Sequence, residues 1–188
     1  MRHLFAPIAL VCLLAGASQA QVTNGSFTGG LSSWGTATTL FATVAPSTYG
    51  SPANSAQFGA SGSFFNTPVG TASLTQTFAC GSSFEDGYCM MSFDYTFARN
   101  MDAAARITVL VDGNPVFTAD HSANLNGFVP VMFTAGCGLH QLAITTSFIS
   151  GNALSAWTFW VDNVTAACLP NEVPTESGTW GSIKATYR

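Results

Sequence analysis

The stretch "AWTFWVDNV", residues 156–164, carries two tryptophans three positions apart, and in an extended chain they fall on opposite faces. Trp157, Phe159 and Val161 share one face, which is apolar throughout. Trp160 shares the other with Thr158 and Asp162, so one indole is directed away from the core. A flat ring beside amides, hydroxyls or carboxylates is suited to cover a C–H patch of a ligand while polar neighbours fix its hydroxyl groups. Gln76, Asp94 and Arg106 lie on other alternating segments and supply such polar groups. Tyr49 and Tyr88 lie in expected loops and supply further rings.

Covalent and acid–base chemistry has far less support. No G-x-S-x-G elbow, H-E-x-x-H pair or phosphate-cradling glycine loop occurs. Asp86, Asp112 and Asp120 sit in apparent turns, where aspartate serves local hydrogen bonding. His140 alternates with Leu142 and Ile144, as a satisfied and partly buried histidine would. We therefore expect no enzyme. Four cysteines follow the first twenty residues: Cys80, Cys89, Cys137 and Cys168. They show no C-x-x-C spacing, and His121 and His140 stand far apart, so a zinc site is not expected. The favoured pairing of the three available is Cys80–Cys89 across "CGSSFEDGYC", with Cys137–Cys168 tying a turn to the last strand.

The elements that must position these groups are short strands. "SLTQTF", "YCMMSFDYTF", "ARITVLV", "PVFTA", "FVPVMFT", "HQLAITTSF" and "AWTFWVDNV" alternate or run apolar between Gly, Pro, Asn and Asp. Asp112-Gly113-Asn114 marks a hairpin. With Val22–Phe27, Thr38–Val44 and Ser55–Phe58 added, the count is about ten, without an amphipathic helix before residue 168. That pattern specifies an all-β, antiparallel sandwich or jelly roll. The remainder of 49–70 reads as surface loops.

Residues 1–20 are set apart. Arg2 and His3 precede the apolar run "LFAPIALVCLLAGA", and Ser18-Gln19-Ala20 offers small residues at a cleavage point, so this segment reads as a signal peptide. The run is too short to serve as a transmembrane anchor. Residues 21–168 form one domain, 169–178 a proline-containing linker and 179–188 a short tail. Only 7% of residues are charged while 47% are hydrophobic, which excludes disorder. Nine acids face the cations Arg99, Arg106, Lys184 and Arg188 beyond the leader. Nucleic acid is therefore not an expected partner. Export, and a place outside the cell or on its surface, is expected.

"NGSFTGGLSSW", residues 24–34, resembles the opening of carbohydrate-binding modules of families 4 and 9 and their galactose-binding-like relatives. "SLTQTF", "VLVDGNPV", "AGCGLHQLAI" and "FWVDNV" resemble later strands of the same jelly roll, in the same order. The resemblance implies a jelly-roll fold and a polysaccharide or glycan ligand. It also implies one structural Ca2+, held by carboxylates of the first and last strands. Asp162 matches one of those acids, but the other position is Thr28, which removes a charged ligand. The opening stretch itself reads as architecture, with Phe27 and Trp34 entering the core.

Two functional classes follow. One is a secreted, non-catalytic carbohydrate-binding sandwich. The other is a structural or adhesive extracellular protein whose tail docks or sorts it. "TWGSIKATYR" spaces Trp180, Ile183, Lys184 and Tyr187 at helical intervals, and a helix this short needs a protein partner surface.

Overall fold

The computed structural model describes residues 22–50, 54–81 and 87–169. The expected leader (1–20), all of the linker after Leu169, and the tail (179–188) lie outside the described residues. Ten strands are formed among the described residues: β1 (Gly35–Thr38), β2 (Ala42–Ser47), β3 (Ser55–Ser61), β4 (Thr71–Cys80), β5 (Tyr88–Asn100), β6 (Ala104–Val111), β7 (Asn114–His121), β8 (Val129–Gly136), β9 (Gly138–Ser150) and β10 (Ala156–Leu169). They build two five-stranded sheets, ordered β1-β4-β9-β6-β7 and β2-β3-β10-β5-β8, with antiparallel pairing throughout. The all-β sandwich expected from alternation is the fold.

Alternation explains the core directly. Leu74 and Phe78 of β4, Ile107 and Val109 of β6, and Leu142 and Ile144 of β9 meet Phe58 of β3, Phe93 and Phe97 of β5, and Trp157, Phe159 and Val161 of β10. The centre is aromatic: the Phe97 and Phe159 rings lie 4.6 Å apart, and Trp157 is edge-on to Phe159. The β6–β7 hairpin turns at Asp112 and Gly113, both with positive φ (52° and 80°), as a two-residue primed turn requires.

Two expected strands are corrected. Val22–Phe27 is a run of turns, because Asn24 and Phe27 both adopt positive φ (56° and 52°). The Thr38–Val44 segment is broken: β1 ends at Thr38, Leu40 turns the chain at φ 53°, and β2 starts at Ala42 in the other sheet. Tyr88 also changes place, from an expected loop to the first residue of β5.

The opening turns are held by two amides. Asn24 Nδ2 donates to the carbonyls of Gly30 and Ser32, and its Oδ1 accepts from Gly29 N–H. Gln76 reaches from β4 to donate to the Thr23 and Ser33 carbonyls and to accept from Thr23 N–H. Phe27 and Trp34 then pack at 5.6 Å inside the closed turn. Gly25 is pressed against β10, where it accepts from Val164 N–H at 3.0 Å. A Cβ on Gly25 would stand 1.9 Å from the Val164 carbonyl oxygen. We expect Gly25→Ala to lower stability by about 1–3 kcal/mol, the usual cost of overpacking a close contact. Urea unfolding checks this, and an unchanged midpoint would mean that the clasp contributes nothing.

At the edge of the core His121 stacks on Phe97 and its Nε2 lies 3.1 Å from the Tyr95 hydroxyl. Burial holds this imidazole below its ordinary pKa, with the neighbouring Asp120 opposing. The unfolded chain therefore binds a proton at His121 at higher pH than the folded one. The stabilising contribution is complete above about pH 6.5 and falls as pH drops toward the lowered native value. His121→Gln should flatten the loss of melting temperature between pH 7.5 and pH 5.5; a slope identical to that of the unmodified protein would refute this assignment.

Candidate functional site

The outer face of the β2-β3-β10-β5-β8 sheet is built in rows by strand register. In one row Ala45 of β2, Gln57 of β3, Trp160 of β10 and Thr96 of β5 lie side by side. In the next, Thr43, Gly59, Thr158 and Ala98 do the same. Trp157 is 1% exposed while Trp160 is half-buried on the opposite face, so the alternation read in this strand holds. The strand irregularity comes after Asp162, where Asn163 takes φ 52° and returns Val164 to the core.

Trp160 does not stand alone. The β2–β3 connection brings Tyr49 across it, with ring centroids 4.7 Å apart, and Tyr49 continues onto Phe128 at 5.8 Å. Trp160 Nε1 donates to Gln57 Oε1 at 3.2 Å. The indole is thus held by Tyr49 and Gln57, while Tyr49 as a residue is 50% exposed. Beside this aromatic ridge lies a groove of about 290 Å³ lined by Phe41, Thr43, Gln57, Gly59, Ser61 and Thr158, among others. Gly59 forms part of its floor; a Cβ there would lie 2.7 Å from the Trp157 carbonyl oxygen. The groove joins an amide and several hydroxyls to aromatic edges, the mixture that recognises a polyhydroxylated ligand.

The other residues singled out from sequence separate. Asp94 lies on the same outer face, opposite Asp162, but its carboxylate accepts from Asn163 Nδ2 at 2.8 Å. Gln76 is corrected: it faces inward, 7% exposed, and its amide is taken up by the opening turns. Arg106 is on β6 of the other sheet, where it forms a two-pronged ion pair with Asp120 at 2.6 and 2.7 Å. That pair raises the Arg106 pKa and lowers that of Asp120, and it is solvent-exposed. Tyr88 lies eight residues along β5 from Thr96, roughly 26 Å at the rise of a strand. Neither Arg106 nor Tyr88 joins the Trp160 group.

Sequence reasoning missed Gln57, Phe128, Phe41 and Thr43, and it placed Thr158 on the Trp160 face without giving it a role. Gln57 was within reach of alternation, since Ala56, Phe58 and Ala60 flank it on the inward face. Phe41 and Phe128 sit in irregular chain, where no period indicates direction.

The histidine and the ion are also located. His140 is buried, with Nδ1 2.8 Å from Asp112 Oδ2 and Nε2 donating to the Gly136 carbonyl at 2.8 Å. Both ring nitrogens are engaged in structure. Asp112 is held below the usual carboxylate range by the Gln141 N–H first and His140 second. For calcium, the Asp162 side chain is buried and its Oδ1 accepts from Asn163 N–H at 2.7 Å, whereas Thr28 is exposed in the opening turns. Among the described residues no group of three or more His, Cys, Asp or Glu gathers that could hold a metal.

No protein-family model matches the chain, and no curated protein does. Solved structures do match. A family 61 carbohydrate-binding module in complex with β-1,4-galactotriose superposes with TM-score 0.51 at 14% identity, covering 79% of this chain and 98% of that one. The K3 adhesin domain of Lys-gingipain from Porphyromonas gingivalis gives TM-score 0.53 at 10% identity, covering 80% and 98%. The enzymatically active domain of a bacteriophage CBA120 tailspike gives 0.48 at 21% identity; the match covers 80% of this chain but spans only 21% of that one. Carbohydrate-binding modules of families 4, 16, 22 and 28 are further structural neighbours. At these identities the likeness is one of fold: the chain is a two-layered β-sandwich, an architecture it shares with the family 61 module and the K3 adhesin domain.

Proposed function

We propose that this protein is an exported, non-catalytic carbohydrate-binding sandwich that takes a polysaccharide or glycan on the outer face of β2, β3 and β10. The observation that carries the reading is the half-exposed residue Tyr49, its ring braced on Trp160 at 4.7 Å beside a groove lined by Gln57, Thr43 and Thr158. The ring covers a sugar C–H face, and the amide and hydroxyls meet its hydroxyl groups. The leader-like residues 1–20 and the Cys80–Cys89 disulfide support an oxidising, extracellular location. The test is retention on a panel of insoluble polysaccharides and a glycan array. Binding that disappears in Tyr49→Ala, with the melting temperature kept, supports the reading; absence of retention on every polysaccharide and glycan overturns it.

A second reading, adhesion through protein contacts, is favoured by one observation. The turns at one end of the sandwich expose Leu40 (76%), Phe64 (82%), Phe65 (93%) and Met101 (58%). Scattered exposed hydrophobics are ordinary, but their grouping on neighbouring turns is the kind of surface that marks interaction. Self-association that is lost in a Phe64→Ser, Phe65→Ser double variant, in a chain without glycan binding, would select this reading.

A further inference from the structure

The end of the sandwich opposite those turns gathers four sulfur atoms. Cys80 closes β4 of one sheet and Cys89 lies in β5 of the other, and their disulfide joins the two sheets. Cys168 of β10 stands opposite Cys89 in register, with its Sγ 3.3 Å from Cys80 Sγ. Cys137, in the step between β8 and β9, places its Sγ 3.7 Å from Cys168 Sγ. Cys137 is exposed and Cys168 is half-buried. A disulfide needs about 2.05 Å, so the last two sulfurs must close by about 1.7 Å.

We propose that Cys137 and Cys168 are an entry thiol and a resolving thiol that take oxidation from a small disulfide donor and close as a second disulfide beside Cys80–Cys89. The exposed Cys137 thiolate attacks one sulfur of the donor R–S–S–R. The donor S–S bond breaks, one thiolate RS⁻ leaves and takes up a proton, and Cys137 carries the mixed disulfide. Cys168 then loses its proton to solvent and attacks Cys137 Sγ, expelling the second RS⁻. Two protein thiols are oxidised by two electrons, and one donor disulfide is reduced to two thiols. The order follows from access, since donor must reach the first sulfur from solvent while the second needs only its neighbour. Burial, and then the adjacent Cys137, push the Cys168 thiol up, which agrees with its acting second. The closed pair ties the β8–β9 crossover between the sheets to the last strand.

The exported protein, mildly reduced and then exposed to oxidised glutathione, tests this by peptide mapping over time. The expected products are Cys137–Cys168 and Cys80–Cys89 in the unmodified protein. In Cys168→Ser, Cys137 should accumulate one glutathione that is not released. In Cys137→Ser, glutathione should reach Cys168 at least roughly tenfold more slowly than it reaches Cys137 in the other variant, because access limits the less exposed thiol. Recovery of Cys137 and Cys168 as free thiols in the fully oxidised, unmodified protein would overturn the proposal. Equal glutathione uptake by the two variants would overturn the assigned roles. Mapping of the unmodified chain stands even where a variant folds poorly.

Discussion

Trp157→Ala is expected to lower the stability of this protein by about 3–5 kcal/mol, the cost of emptying a large core site. The indole is 1% exposed and packs edge-on to Phe159, which in turn lies against Phe97. Its Nε1 donates to the Pro68 carbonyl at 2.9 Å, so truncation also strips a buried acceptor of its partner. In a domain of this size that loss corresponds to a fall in melting temperature of roughly 10–16 °C. Trp160→Ala, three residues on, removes a half-buried ring from the outer face and should cost no more than about 2 kcal/mol. Thermal melts of the two variants measured together decide the matter. Equal losses would mean that the two faces of β10 are not distinguished as described.

Tyr49→Ala is expected to leave the fold intact and to weaken glycan binding by about thirtyfold, the equivalent of roughly 2 kcal/mol for a ring at the centre of a small interface. The side chain is 50% exposed and belongs to a connection rather than to a strand, so few core contacts depend on it. Trp160→Ala should weaken binding by a different route, since the indole holds Tyr49 and Gln57 in place. Tyr49→Phe separates the two contributions. It keeps the ring and should retain most of the affinity if stacking dominates. Isothermal titration against a glycan retained by the unmodified protein measures all three. Full binding by Tyr49→Ala would remove the ridge from the site.

Strand alternation made much of this legible. The period of two in "AWTFWVDNV" placed Trp157 inside and Trp160 outside, and that arrangement stands because the register slips only after Asp162. The same period put Ile107, Val109, Leu142 and Ile144 in the core. The pair Cys80 and Cys89 could be read because the two residues stand at the facing ends of consecutive segments joined by a short loop. His140 could be read as structural because it shares a face with core residues. Each of these readings depends on a single strand and its immediate neighbour.

Gln76 shows where such reading stops. Its place on "SLTQTF" correctly assigns it to a strand, and its amide is suited equally to a ligand or to backbone. The choice fell to the opening turns, more than forty residues earlier, whose carbonyls at Thr23 and Ser33 claim the side chain. Arg106 likewise carried the right chemistry, but sheet order put it on the far layer and paired it with Asp120.

The sequence by itself determined which side of each strand is apolar, because side-chain direction in an extended chain is a local, alternating property. It thereby determined the two-layered fold and the outward direction of Trp160. The tertiary structure alone decided which outward residues become neighbours. Tyr49, Gln57 and Phe128 come from two connections and one neighbouring strand, and strand order together with the paths of those connections brings them to Trp160. A site assembled across strands depends on long-range packing, which no local period encodes.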